Sequence, residues 1–137
     1  MRLTGCDLSP AMLAVARTKD PPRDAAPIEL VESPAAPPHV ETGAYDVALC
    51  QHGLQFFPDR PAALAEMRRA VTDGGRLGLA VWTSIDESPC FAALRGALAD
   101  VLGETTADRY KGGPWGLPKR TELVGLVEAA GFENVRC

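Results

Sequence analysis

Nowhere in these 137 residues does an apolar run approach the roughly 20 residues a helix needs to cross a bilayer, which excludes a membrane-spanning helix. Basic clusters are missing as well. The 14 Lys and Arg stand against 18 Asp and Glu, a formal net charge of -4, so the positive patch that a phosphate backbone requires is not there and nucleic acid is not an expected partner. Four cysteines, Cys6, Cys50, Cys90 and Cys137, are scattered without a C-x-x-C pair and without a histidine at ligand spacing. That sets aside a zinc site and a disulfide framework, and Cys6 and Cys50 read instead as small residues on strands. The opening residues lack the apolar core of a signal peptide, since Asp7 interrupts it and the alanine-rich stretch after Pro10 is amphipathic, so the cytoplasm is the expected compartment. What is present is 46% hydrophobic, enough for the core of one domain over residues 1–137.

Strand and helix signals alternate along the chain. Leu3 to Cys6 is a short apolar run closed by Asp7; Ser9 is a natural N-cap and Pro10 suits the first helical position, where a missing N–H costs nothing. Residues 18–27, with two consecutive prolines, end that helix. Ile28–Glu32 reads as a second strand, residues 33–43 as a proline-rich loop, and Tyr45–Cys50 as a third strand. A helix beginning at Pro58-Asp59-Arg60-Pro61 carries Leu64, Met67 and Val71 at helical spacing, and Asp73-Gly74-Gly75 is expected to cap it. Arg76–Trp82 reads as a fourth strand, covered on both sides. Ser88-Pro89 opens a helix with Phe91, Leu94, Leu98 and Val101 on its apolar face. Residues 103–118 read as an irregular connection long enough to be a binding loop. A last helix carries Leu123, Leu126, Val127 and Ala130, and Phe132–Cys137 begins a final strand. Alternation of this kind implies βαβ crossovers and a mainly parallel sheet.

In open α/β sheets ligands bind beyond the carboxyl ends of the strands, and an acid there can accept hydrogen bonds from the hydroxyls of a ribose. Asp7 stands in that position. The segment Asp7-Leu8-Ser9-Pro10-Ala11-Met12-Leu13 resembles the second strand and following helix of class I S-adenosylmethionine-dependent methyltransferases of the small-molecule branch. The resemblance continues in Tyr45–Cys50, in Phe57–Arg69, in Asp73-Gly74-Gly75-Arg76-Leu77, where Asp replaces the usual Pro, and in Ala129–Val135. It implies a Rossmann-like, doubly wound, mainly parallel sheet and S-adenosylmethionine as cofactor. The family's first strand and glycine-rich turn should precede Asp7, yet six residues are too few for a strand, a turn and a helix. The chain therefore reads as a domain without its N-terminal portion. In the family's strand order the absent strand lies between Leu3–Cys6 and Tyr45–Cys50. The slot should be closed by direct pairing of those strands, or filled by a second chain, or lead to aggregation.

The resemblance also proposes site residues. Asp7 would accept the ribose hydroxyls, although a carboxylate at a helix N-terminus also stabilises that helix without any ligand. Leu8 and Met12 would flank the adenosine, with ordinary core packing the alternative for Met12. Pro34 and Ala35 occupy the place of the family's adenine-reading segment, whose Gly-Asp-Ala is here Ser33-Pro34-Ala35, so Pro34 can accept only through its carbonyl. Cys50 and Gln51 would face the methionine portion. His52 is the candidate catalytic base, since imidazole exchanges protons near neutral pH; a surface role is the alternative. Trp82, Tyr110 and Trp115 either line an acceptor pocket or anchor their loops, and His39 is expected to be inert. The function implied is methyl transfer to a small-molecule acceptor by positioning donor and acceptor in line. The alternative is a non-catalytic remnant or interaction module of the same fold. A nicotinamide-dependent oxidoreductase is weaker, because nothing replaces the turn that cradles its pyrophosphate.

Overall fold

The computed structural model describes residues 2–111, 113–117 and 119–137. The elements run β1 (Leu3–Asp7), α1 (Pro10–Arg17), β2 (Ile28–Glu32), β3 (Tyr45–Gln51), α2 (Arg60–Ala70), β4 (Val71–Ala80), α3 (Pro89–Leu102), α4 (Glu104–Arg109) and α5 (Arg120–Ala129). Short 3₁₀ turns cover Leu54–Phe56, Ile85–Glu87 and Gly113–Trp115. No helix among the described residues is long and apolar enough to cross a membrane.

The local signals act as their chemistry dictates. The Ser9 hydroxyl accepts the Met12 N–H at 3.3 Å and the Asp59 carboxylate accepts the Ala62 N–H at 2.9 Å, each satisfying one orphan donor of its helix. β1 pairs with β2 in parallel, from Leu3 opposite Ile28 to Asp7 opposite Glu32. β3 pairs with β4 in parallel, ending with Gln51 opposite Ala80. The core lies between β3–β4 and the helices α2 and α5: Leu54 and Leu64 are fully enclosed, with Cys50, Val71, Leu117, Val127 and Phe132 around them.

The sheet differs from the expected one. Its strands form two separate two-stranded ladders, and β1 does not pair with β3. What joins them is a side-chain bond, the Tyr45 phenol to the Thr4 hydroxyl at 2.8 Å, from the first residue of β3 to the second of β1. Loop 33–43 is fixed from the other side: the Arg69 guanidinium donates to Val40 O and to the Thr42 hydroxyl while bonding Glu66. The Gly43 and Ala44 N–H groups fall on the Arg69 and Ala70 carbonyls, which the end of α2 leaves free.

Four boundaries also depart from the sequence reading. Val71 belongs to β4 and not to the preceding helix; it is extended and buried, because its side chain fills the core beside Leu64. Consequently Gly74, at φ +77°, serves a bulge rather than a helix cap: Val71 to Arg76 stands opposite only Tyr45 to Val47. β4 ends at Ala80, short of Trp82. The supposed loop after Gly103 contains α4, held to α3 by Arg95, which pairs with both Glu104 and Asp108. That bond, helped by Lys111, keeps the Asp108 carboxyl below its ordinary titration range. Phe132–Cys137 forms no strand, since Gly131 and Asn134 take positive φ and no ladder partner meets it. The apolar face of α3 is covered only in part: Leu94 and Val101 are exposed.

Two glycines of β4 provide a test of this packing. A Cβ at Gly75 would meet the carbonyl of Thr72 and the Cβ of Val71, both at 2.9 Å and both rigid; a Cβ at Gly78 would meet only Leu49 Cδ2, on an 80% exposed side chain that can turn away. Gly75→Ala should therefore lower the urea unfolding free energy by about 1–3 kcal/mol, whereas Gly78→Ala should stay within about 0.5 kcal/mol of wild type.

Candidate functional site

The candidate residues gather at the carboxyl ends of the two ladders. At the end of β1, Asp7 Oδ1 accepts the Ser9 N–H at 2.7 Å, which ties the carboxylate to the start of α1. Among the described residues no donor meets Oδ2, and the side chain is exposed. A carboxylate has about four lone-pair sites, so the bond to the helix start leaves the second oxygen free to accept other donors. Beside it Leu8 and Met12 are 69% and 60% exposed. Met12 does not pack into the core of the described residues; Leu13 is the side chain that α1 buries.

Ser33 organises the next edge. Its N–H donates to Asp7 O at 3.0 Å, extending the β1–β2 ladder by one step, and its buried hydroxyl accepts the His39 N–H at 2.7 Å. The same hydroxyl donates to Pro34 O at 3.0 Å. Pro34 and Ala35 are thus set next to Asp7, but the Pro34 carbonyl, the one acceptor the proline has, is already engaged. His39 contributes only its backbone. Ser33 was not singled out from the sequence; the available signal was a small hydroxyl residue at the last step of a strand, directly before a proline.

At the end of β3, Cys50 turns into the core, where its sulfur receives the Gly53 and Leu54 N–H groups and burial pushes the thiol above its ordinary range. Its side chain is therefore structural, and only its backbone stands at the edge. The Gln51 side chain is exposed. His52 follows in the left-handed region at φ +53°, its N–H on Ala80 O at 2.8 Å, one step beyond the β3–β4 ladder. The imidazole stacks on Trp82 at 4.9 Å and 18° between planes. Trp82 in turn meets Phe91 and Trp115, and Tyr110 lies 6.5 Å from Trp115. The three aromatic residues named from the sequence are brought together, and Phe91, expected on the apolar face of its helix, packs among them. Among the described residues His52 Nδ1 is buried without a partner, as are the Trp115 Nε1 and both amide atoms of Gln55. No hydrogen bond among the described residues joins the Asp7 end to the His52 end.

Two other features do not belong to this site. A cavity of about 900 Å³ runs along the free edge of β4, between Leu77, Leu79, Leu123 and the segment after Gly131. It is the trough beside the C-terminal segment, and Asp7, His52 and Trp82 do not line it. Among the described residues no group of three His, Cys, Asp or Glu side chains could hold a metal.

Residues 1–79 match the family described as methyltransferase domain. The chain belongs to that family. It is 30% identical over 147 residues to the demethylmenaquinone methyltransferase of Bacillus subtilis, across 98% of this chain and 61% of that protein. The enzyme of the same name from Listeria welshimeri is 30% identical over 144 residues (98% and 61%), and that from Oceanobacillus iheyensis 29% over 147 (98% and 60%). The chain thus spans about three fifths of the length of the curated relatives it matches. The resemblance to class I S-adenosylmethionine-dependent methyltransferases stands on this match, and the parallel strands with their crossovers are the α/β, Rossmann-like arrangement it implies.

The positioning of the Pro34 edge is testable. Ser33→Ala removes the acceptor of the His39 N–H and should cost about 1–3 kcal/mol of stability, because a partly buried donor is left unsatisfied; urea unfolding with an unchanged slope is the expected record.

Proposed function

We propose that this methyltransferase domain transfers the methyl group of S-adenosylmethionine to a small-molecule acceptor, and that Asp7 holds the ribose. The observation that carries this reading is the open Oδ2 of Asp7 at the carboxyl end of β1, flanked by the exposed apolar side chains of Leu8 and Met12. An exposed acceptor beside an apolar shelf suits a nucleoside, which presents vicinal hydroxyls next to a flat ring. When bound, the cofactor supplies an electrophilic methyl group. Pro34 and Ala35 border the adenine position, and the backbone of Cys50 and Gln51 borders the methionine position.

Little covalent chemistry is asked of the protein. Orientation of the two reactants alone can contribute roughly 7–11 kcal/mol, and what remains is to take a proton from the acceptor. His52 fills that role, since its Nδ1 has no protein partner and its ring is fixed by Trp82. The curated relatives are named for methylation of demethylmenaquinone, and this reading takes a flat ring compound of that general kind as the acceptor, against the Trp82 cluster. A strand between β1 and β3, neither of which pairs with the other, belongs to this reading, since it would complete the sheet and carry the backbone turn that meets the methionine portion. The partners proposed are a small molecule and, through the open strand edges, a second chain; nucleic acid and membrane are not among them, and the compartment is the cytoplasm.

A specific observation favours the second reading, a non-catalytic remnant or interaction module. The Pro34 carbonyl is already engaged by Ser33, and the edges of β1 and β3 stay unpaired, which suits a surface that pairs with another polypeptide.

Calorimetric titration separates the two. In protein carrying a strand and glycine-rich turn ahead of Leu3, Asp7→Ala should weaken S-adenosylhomocysteine binding at least about tenfold, the worth of a hydrogen bond to a charged acceptor. Unchanged affinity removes Asp7 from the site. In the same protein His52→Ala should lower turnover roughly 10²-fold with cofactor affinity intact; normal turnover ends its assignment as the base.

A further inference from the structure

Buried polar groups in folded proteins are nearly always hydrogen-bonded. The aromatic cluster beyond β3 and β4 breaks that rule several times within a few residues. Among the described residues, Gln55 is 4% exposed with no partner for its Nε2 or its Oε1, Trp115 is 5% exposed with none for its Nε1, and His52 Nδ1 is buried and unpaired. These residues share one place in the fold. Gln55 sits three residues after His52, in the 3₁₀ turn Leu54–Phe56, and that turn packs against the turn Gly113–Trp115. His52 and Trp115 both meet Trp82, which is 38% exposed.

Leaving an amide unpaired inside a protein costs free energy that a leucine of similar size would avoid. A site that retains it, next to stacked rings and an unpaired indole N–H, offers a donor and an acceptor to a flat partner. We propose that Gln55 is a specificity-determining residue of the acceptor site, and that it and the Trp115 N–H hydrogen-bond an oxygen substituent on a planar aromatic acceptor whose ring lies against Trp82. The proposal rests on the methyl-transfer reading above and deepens it by naming the acceptor as an oxygen-bearing aromatic ring. Gln55 and Trp115 are closed to solvent, so in this proposal the two turns that carry them part to admit the oxygen.

The chain contains two tryptophans, Trp82 and Trp115, and both lie in this cluster. Tryptophan emission therefore reports on the site alone, without cofactor and without turnover. The probes are chromone and naphthalene, fused rings of equal size with and without oxygen, titrated into the 137-residue chain and its Gln55→Leu variant. The expected result is a saturable emission change with both probes in wild type. In Gln55→Leu, chromone affinity falls at least about tenfold, naphthalene affinity is unchanged, and the thermal midpoint is equal or higher because an unpaired amide has been removed. Should the leucine variant not fold, Gln55→Met serves in its place. An unchanged chromone affinity, an equal loss for both probes, or no saturable emission change in wild type overturns the proposal. None of these outcomes touches Asp7, so failure here and failure of the ribose assignment are read separately.

Discussion

Backbone hydrogen bonding divides this molecule, and the rest of its structure follows from the division. β1 spends its bonds on β2, β3 spends its bonds on β4, and the two ladders face each other without a rung between them. Neighbouring strands in a sheet lie about 4.7–4.9 Å apart; here a tyrosine side chain does the bridging instead, through Tyr45 to Thr4. The relative placement of the ladders therefore depends on side chains and one loop. Arg69 is the anchor: a guanidinium with five donors in a fixed fork reaches Glu66, Thr42 and the Val40 carbonyl and holds the loop between the ladders to α2.

The division runs through the proposed site. Asp7, proposed to hold the ribose, and the Ser33–Pro34 edge stand on the β1–β2 ladder, whereas His52, Trp82 and the aromatic cluster stand on the β3–β4 ladder. Donor and acceptor must be held in line to a fraction of an ångström for methyl transfer. A strand between the ladders would set that distance with backbone bonds, the most rigid means available. Each half has its own anchor: Asp7 is tied at Oδ1 and open at Oδ2, and the imidazole is stacked on Trp82 with Nδ1 buried and, among the described residues, unpaired.

How much of this the sequence revealed depends on the range of the interaction involved. Short-range signals were legible. Ser9-Pro10 and Asp59 with Pro61 placed two helix starts, the apolar runs placed β1 to β3, and the position of Asp7 at the end of β1 was legible because strand, acid and cap are adjacent in the chain. Long-range bonds were not legible. Val71 fits a helical period and a strand equally well, and only its burial beside Leu64 decides for the strand. The sequence Glu104–Arg109 has no apolar stripe, so α4 is invisible until Arg95, one helix away, is seen to hold it. Ser33 and Gln55 read as ordinary polar residues; their meaning lies in burial, which composition does not encode. Phe132–Cys137 has the composition of a strand and lacks a partner to make it one.

The central claim is that a strand between β1 and β3 couples the two halves into one cofactor site. Calorimetric titration of S-adenosylhomocysteine into two purified proteins tests it: residues 1–137 alone, and the same residues preceded by a strand and glycine-rich turn of the methyltransferase family. The account predicts negligible binding by the first and micromolar binding by the second. Micromolar binding by residues 1–137 alone would contradict it, because the two ladders would then form the site without the strand between them.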